Sequence, residues 1–342
     1  MGATTRTVRL RPPYLVFIGD QQDPSYAKTG FGLVDWRREL VAGQLRFGDK
    51  PVDLGVPDMD VEAAVAAGAK SLLIGVASVG GVIPDEWWNI IVAAANKGLD
   101  IVSGLHGRLA DNSALAAAAR ESGALLVDVR RPPPDLPVGS GRKRSGKRVL
   151  MLGTDCAVGK KYSALALTES MKALGADATF RATGQTGIMI AGEGIAIDAV
   201  VADFVAGAAE LVSPDNDDDH WDVIEGQGSL SHPGYSGVSL GLLHGSQPDA
   251  IVVCHDAMRT STLGWPDYPL PTIAECRELG ILLGRRTNPA VYCAGISVNT
   301  SELAESARGP YLKQLSADMG LPCVDPVADG CEAIARRLLV PA

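Results

Sequence analysis

Short apolar runs alternate with alanine-rich, amphipathic stretches along almost the whole chain. In the first half, residues 14–18, 71–76, 100–103 and 124–127 read as strands, and 61–67, 85–96 and 112–121 as helices. Strands this short and apolar, separated by helices, predict a parallel sheet covered on both faces. After residue 130 the pattern breaks. Pro132, Pro133, Pro134 and Pro137 lead into Gly139, Gly141 and the basic cluster Arg142, Lys143, Arg144, Lys147 and Arg148. Proline removes backbone donors and fixes φ, so this stretch reads as a linker. Its charges read as solvated, with contact to a bound phosphate as the sharper alternative. Strand signals resume at 148–152, 222–225, 250–254, 290–295 and 323–325, while the acidic run 215–219 reads as an exposed loop. The expected organisation is therefore two α/β domains, 1–140 and 147–342, joined by 141–146.

Composition narrows the class. Hydrophobic residues at 46%, charged residues at 21% and only 5% aromatics suit closely packed α/β layers. A net charge of −9 argues against nucleic acid as a partner. No apolar run approaches the roughly 20 residues that span a bilayer, and the start of the chain lacks a signal-peptide core. Six scattered cysteines without a C-x-x-C pair fit a reduced, cytoplasmic protein without a zinc cluster.

The first domain reads as Rossmann-like, but the glycines Gly75, Gly80 and Gly81 lack dinucleotide-fingerprint spacing, so NAD is not expected. The second domain carries the strongest signal in the chain: Gly153, Thr154, Asp155, Cys156, Ala157, Val158, Gly159 and Lys160, between an apolar strand and a good helix. Such a turn aims backbone N–H groups and a helix N-terminus at an anion. The bland alternative is an ordinary strand–turn–helix corner. In a Mg·ATP-hydrolysing loop the next residue is Ser or Thr, whose hydroxyl holds the metal. Here it is Lys161. Ser163 is no substitute, because two residues rotate a helical side chain by about 200°. The loop should bind phosphates and hydrolyse ATP poorly. A diphosphate that is not split, such as that of coenzyme A, suits it.

The loop, with spacing G-x5-G-K, resembles that of dethiobiotin synthetases, as do Glu225-Gly-Gln-Gly228 and Gly295-Ile-Ser-Val-Asn299. That likeness implies an adenine contact at Asn299. Over nearly its full length the chain resembles a two-domain family long described only as a domain of unknown function. The resemblance rests on the loop Gly153–Lys160, Ala27-Lys28-Thr29, Gly104-Leu-His106, Thr183-Gly-Gln-Thr-Gly187 and Glu225-Gly-Gln-Gly-Ser-Leu-Ser-His232-Pro. It implies an N-terminal Rossmann-like and a C-terminal P-loop domain. It also implies acetyl transfer from acetyl-CoA to D-glutamate, as in the D-glutamate N-acetyltransferases of that family.

That chemistry needs a base for the substrate ammonium, donors for the thioester oxygen and cations for two carboxylates. Glu225, at a strand end, is the first choice of base, with a Walker-type role as its rival. His232 follows, with capping of its own loop as the alternative, and His255 is third. The carboxylate contacts are sought at Lys28, Arg108, Arg181 and Arg259, with His106, Gln185 and Thr186 as further substrate contacts. His220 reads as solvated. No metal is expected, and the partner is a small amino acid, with a homo-oligomer as the expected assembly. The competing readings are a Mg·ATP-dependent carboxylase or ligase and a non-catalytic nucleotide-binding regulator.

Overall fold

Parallel strands with helical crossovers build both halves of the molecule, seen in a computed structural model describing residues 7–77 and 81–340. Gly80, one of the glycines weighed for a dinucleotide fingerprint, lies outside the described residues. The chain divides into two compact units, 1–133 with 185–199, and 134–184 with 200–342.

The N-terminal unit contains β1 (Val8–Arg9), β2 (Tyr14–Gly19), β3 (Val41–Arg46), β4 (Ser71–Ile74), β5 (Asp100–Ser103) and β6 (Leu126–Asp128). Strands β2 to β6 form one parallel sheet in the order β3-β2-β4-β5-β6. Counted from β2 this is the 2-1-3-4-5 doubly wound order, whose direction reverses between β2 and β4. Its helices are α1 (Lys28–Arg37), α2 (Val61–Ala66), α3 (Trp88–Asn96) and α4 (Ser113–Ser122). The predicted strands and helices all form, and their ends have local causes. Asp60 accepts from Ala63 N, Asn112 accepts from Leu115 N, and left-handed Gly123 stops α4.

Two elements here carry no legible signal. Strand β3 contains Gly43, where a Cβ would lie 2.6 Å from Pro57 O, and the buried Gln44, whose amide bonds Asp53, Val56 O and Leu54 N. Helix α1 contains Gly30 and Gly32, which let it press on Leu54, Ile18 and Ile190. Ile190 belongs to α6 (Gln185–Ala191), which docks on α1, while β9 (Glu193–Gly194) pairs antiparallel with β1. Arg130 completes this attachment by bonding Gln185 Oε1 and Asp198.

The C-terminal unit has the parallel order β15-β14-β11-β7-β10-β8. These strands are β7 (Lys147–Gly153), β8 (Ala178–Arg181), β10 (Trp221–Ile224), β11 (Ala250–Asp256), β14 (Tyr292–Asn299) and β15 (Cys323–Val324). Helices α5 (Lys160–Ala173), α7 (Val205–Val212), α8 (Ser236–Ser246), α9 (Ile273–Gly284), α10 (Glu305–Met319) and α11 (Glu332–Leu339) accompany them. A small antiparallel hairpin, β12 (Ser261–Thr262) and β13 (Trp265–Pro269), follows β11. Strands β7, β10 and β11 are buried on both faces, which accounts for the apolar residues 149–152, 223–224 and 250–254 within them. The direction of winding reverses at β7.

The basic cluster is not solvated throughout. Arg144 and Arg148 are buried, at 5% and 1% exposure. Arg144 donates to the carbonyls of Ser213, Gly245 and Ser246 and to Gln247 Oε1. Arg148 donates to Ser213 Oγ and to the carbonyls of Arg144, Ser145, Gly146 and Pro214. The two guanidinium groups thus saturate turn carbonyls that β7, α7 and α8 leave without helical or sheet partners. His220 is likewise buried rather than solvated, between Asp177 at 2.7 Å and Asp222 at 3.2 Å. Arg144→Ala should lower unfolding stability by about 3 kcal/mol, because buried carbonyls lose their donors. Urea denaturation at neutral pH measures this, and a loss below about 0.5 kcal/mol would contradict the clamp.

Candidate active site

The carboxyl ends of adjacent strands in the C-terminal unit hold most of the expected residues, as α/β sheets place their ligand sites. At the end of β7 the chain turns through Ala157 (φ 53°) and Gly159 (φ 93°) before α5 begins at Lys160. Left-handed residues in such a turn make successive N–H groups converge, which is how a backbone cradles phosphate. A Cβ on Gly153 would lie 2.6 Å from both Asp155 O and Lys160 Nζ. Lys160 is buried, and its ammonium donates to Asp155 O at 2.7 Å. Burial pulls its pKa below the usual lysine value. A phosphate in the loop would restore the missing counter-charge. Ser163 Oγ bonds Gly159 O and meets Ser297 Oγ at 2.8 Å, so it faces the sheet rather than the loop. The Lys161 ammonium lies 4.3 Å from the centre of the Tyr162 ring.

Glu225 immediately follows β10 and is 5% exposed. Its Oε2 accepts from Thr183 N at 3.0 Å and Gly184 N at 2.9 Å. Burial raises the carboxyl pKa, while these two N–H groups and the nearby Lys161 and Lys160 act against the rise. Gly184 makes room for it, and Gly226 lets the chain pass close to β7. A Cβ on Gly184 would sit 2.7 Å from Gln227 Nε2 and 3.2 Å from Glu225 Oε1, and one on Gly226 would sit 1.8 Å from Met151 O. Thr183 Oγ1 donates to Glu225 O and accepts from Gln227 Nε2. The N–H groups of Thr183 and Gly184 thus hold the carboxylate, while the Thr183 hydroxyl and Gln227 hold the backbone at Glu225.

Asp155 is a junction. Its Oδ1 accepts from Cys156 N, and its Oδ2 accepts from Arg259 Nη1 and Leu263 N, both at 2.8 Å. It ties the phosphate loop to Arg259, just before β12, and to the turn of the β12–β13 hairpin at Leu263. Ser229 Oγ, which the sequence does not single out, donates to Thr154 O and joins the same loop to the 226–237 turn. In that turn His232 Nδ1 accepts from Gly234 N at 3.0 Å and Tyr235 N at 3.1 Å. Two N–H groups converging on one ring atom require its lone pair there, so the neutral imidazole carries its hydrogen on Nε2. Hence His232 caps its loop and offers a donor, not the base that its position invited. The same tautomer bears on metal binding. Asp155, Cys156 and His232 bring ligand atoms within 4.8 Å of one another. Yet His232 Nε2 has no lone pair to give, and burial raises the Cys156 thiol pKa, so this trio does not fit a metal.

His255, on β11, meets Thr154 Oγ1 through Nδ1 at 3.0 Å, and burial lowers its pKa. Burial therefore favours its uncharged form. Asn299 donates to Asp256 Oδ2 and accepts from Ser301 N, tying together the ends of β11 and β14. An adenine contact there competes with both bonds. Arg181 does not stand ready for a substrate carboxylate: its Nε donates to the buried Asp222 at 2.6 Å. Arg259 stays at the loop, paired with Asp155.

Lys28, His106, Arg108, Gln185 and Thr186 belong to the N-terminal unit. Lys28 opens α1, and Thr29 Oγ1 lies 3.2 Å from Thr186 Oγ1. His106 and Arg108 are exposed in the turn after β5, and Gln185 accepts from Arg130.

Residues 47–132 match the family model described as DUF1611_N, a Rossmann-like domain, and residues 137–335 match DUF1611_C, a P-loop domain. A protein of Tritonibacter scottomollicae named D-glutamate N-acetyltransferase is 50% identical over 329 residues, 96% of this chain and 99% of that protein. One of the same name from a Pseudoalteromonas species is 46% identical over 331 residues, covering 97% of this chain and 100% of that protein. The crystal structure of a DUF1611 family protein from Anabaena variabilis superimposes with a TM-score of 0.82 at 34% identity, over 96% of this chain and 99% of that one. With both domains matched and relatives this similar along nearly the whole length, the chain belongs to the two-domain DUF1611 family.

Proposed function

We propose that this protein is an amino-acid N-acetyltransferase that moves an acetyl group from acetyl-CoA to the amino group of D-glutamate. The relatives at 46–50% identity carry that activity in their names. The observation that carries the reading onto this chain is a buried, pKa-raised Glu225 near a phosphate loop that has lysines at both Lys160 and Lys161. Loop N–H groups and the two ammonium groups supply charge for a diphosphate that is held but not cleaved. Glu225 takes the proton from the substrate ammonium. The freed amine forms the new N–C bond at the acetyl carbon as the C–S bond breaks; the second proton lost by the nitrogen goes to the departing thiolate, and Glu225 returns the first to solvent. Arg259, which gives only Nη1 to Asp155, is the proposed partner of a substrate carboxylate through its other N–H groups. The reaction needs no metal.

The six free thiols are compatible with a cytoplasmic setting, and no helix among the described residues is long and apolar enough to cross a membrane. A small amino acid is the proposed partner, with neither nucleic acid nor membrane, in a homo-oligomer.

The test is release of CoA from acetyl-CoA, read with a thiol reagent, in parallel with D-glutamate, L-glutamate and no amino acid. Release with D-glutamate alone, unchanged by a chelator, is expected. Chelator-sensitive ADP formation from ATP, with no CoA release, would move the assignment to a ligase or carboxylase.

A further inference from the structure

His232 poses a problem of its own. The residue is 2% exposed, yet its Nε2 has no hydrogen-bond partner among the described residues. Buried N–H groups are rarely left in that state, and those that are call for an explanation. The ring cannot turn to find one. Gly234 N and Tyr235 N hold Nδ1, Tyr235 stacks on the ring at 4.5 Å, and Trp265 meets it edge-on at 4.8 Å. Asp155 Oδ1 lies 3.9 Å from Nε2, about 1 Å beyond hydrogen-bond length. Asp155 lies inside the phosphate loop, whereas His232 is anchored to a different loop.

We propose that His232 is a positioning residue for the phosphate loop: its Nε2–H closes onto Asp155 Oδ1 when an anion fills the loop. The proposal rests on the acetyl-CoA reading for the identity of that anion. An anion drawn against the loop N–H groups and Lys160 favours a tighter loop, and only a state with a better contact set is selected by ligand. The closed bond gives that state a differential advantage. Because Asp155 also holds Arg259 and Leu263, the same bond sets the position of the β12–β13 hairpin. His232 thereby acts through Asp155 and takes no proton in the reaction.

Two substitutions separate the roles of the two ring nitrogens. H232N keeps an acceptor near the position of Nδ1 and removes the distal donor. H232Q places an amide N–H near the position of Nε2 and gives up the acceptor. In calorimetric titrations with CoA, H232N should bind about tenfold more weakly, ~1.4 kcal/mol, and H232Q should stay within about threefold of the wild type. In the acetyl-transfer assay the loss in H232N should fall on KM for acetyl-CoA rather than on kcat, with the acidic limb of the pH profile in place. Unaltered CoA affinity in H232N overturns the proposal. So does a collapse of kcat at saturating acetyl-CoA together with loss of the acidic limb, which would make His232 the base. Should H232N fail to fold, loss of CoA binding in H232Q overturns it equally. A wild-type protein that binds ADP but not CoA sinks the acetyl-CoA reading alone, and the same comparison is then made with ADP. Binding of neither overturns both.

Discussion

Glu225→Gln lowers kcat by about 10³-fold, within the range for removal of a general base, and leaves the fold intact. The amide oxygen of Gln can still accept from Thr183 N and Gly184 N, the two bonds that orient the carboxylate. What is lost is the oxygen that takes the proton. Since burial raises the carboxyl pKa above its ordinary 4.5, the wild-type rate climbs with pH through a limb lying above that value. The variant has no such limb. Stability moves in the opposite sense. A carboxyl whose folded pKa exceeds its unfolded one binds more protons when folded, so it loses stability as pH rises between the two values. Above that window the wild type carries the full penalty, and the uncharged Gln does not. Denaturant unfolding at pH 7 should therefore find the variant at least as stable as the wild type. Retention of more than a tenth of wild-type kcat, or a surviving acidic limb, would pass the role of base to His255.

Lys160→Ala weakens CoA binding by about 10²-fold or more, roughly 3 kcal/mol, the scale of a charge-assisted bond in a buried site. The side chain has little else to hold. Its ammonium bonds one carbonyl, Asp155 O, and its stem passes over Gly226, where even a Cβ would come within 2.9 Å of Cδ. Removing it relieves an ammonium that burial already disfavours. Stability should consequently change by no more than about 1–2 kcal/mol. Calorimetry separates the two effects, and an affinity within threefold of wild type would take the loop out of the CoA site.

Much of the fold is legible along the chain because its causes are local. Strands buried on both faces are mostly apolar, so β2, β4, β5, β7, β10 and β11 appear as short apolar runs interrupted only where a buried polar side chain is paired. The phosphate loop is equally local: its glycines, its lysine and the start of α5 lie within a few residues of one another. Glu225 can be found because the end of a central strand is where such a fold places chemistry. Strand β3 and helix α1 escape notice because Gly43, Gln44, Gly30 and Gly32 serve contacts with distant segments and dilute the local pattern.

The roles of individual polar side chains are decided elsewhere. Arg144 reads as a linker charge until Gly245, 101 residues away, brings a carbonyl to it. Asp155 reads as one more loop residue until Arg259, 104 residues on, makes it a junction. His232 reads as a base until two backbone N–H groups settle its tautomer. The sequence by itself determined the α/β class, the phosphate loop and the absence of a metal-holding hydroxyl after Lys160, since each depends on neighbours along the chain. Only the tertiary structure decided which polar atoms are already paired, because a buried donor or acceptor takes its function from whatever the fold places within about 3 Å of it.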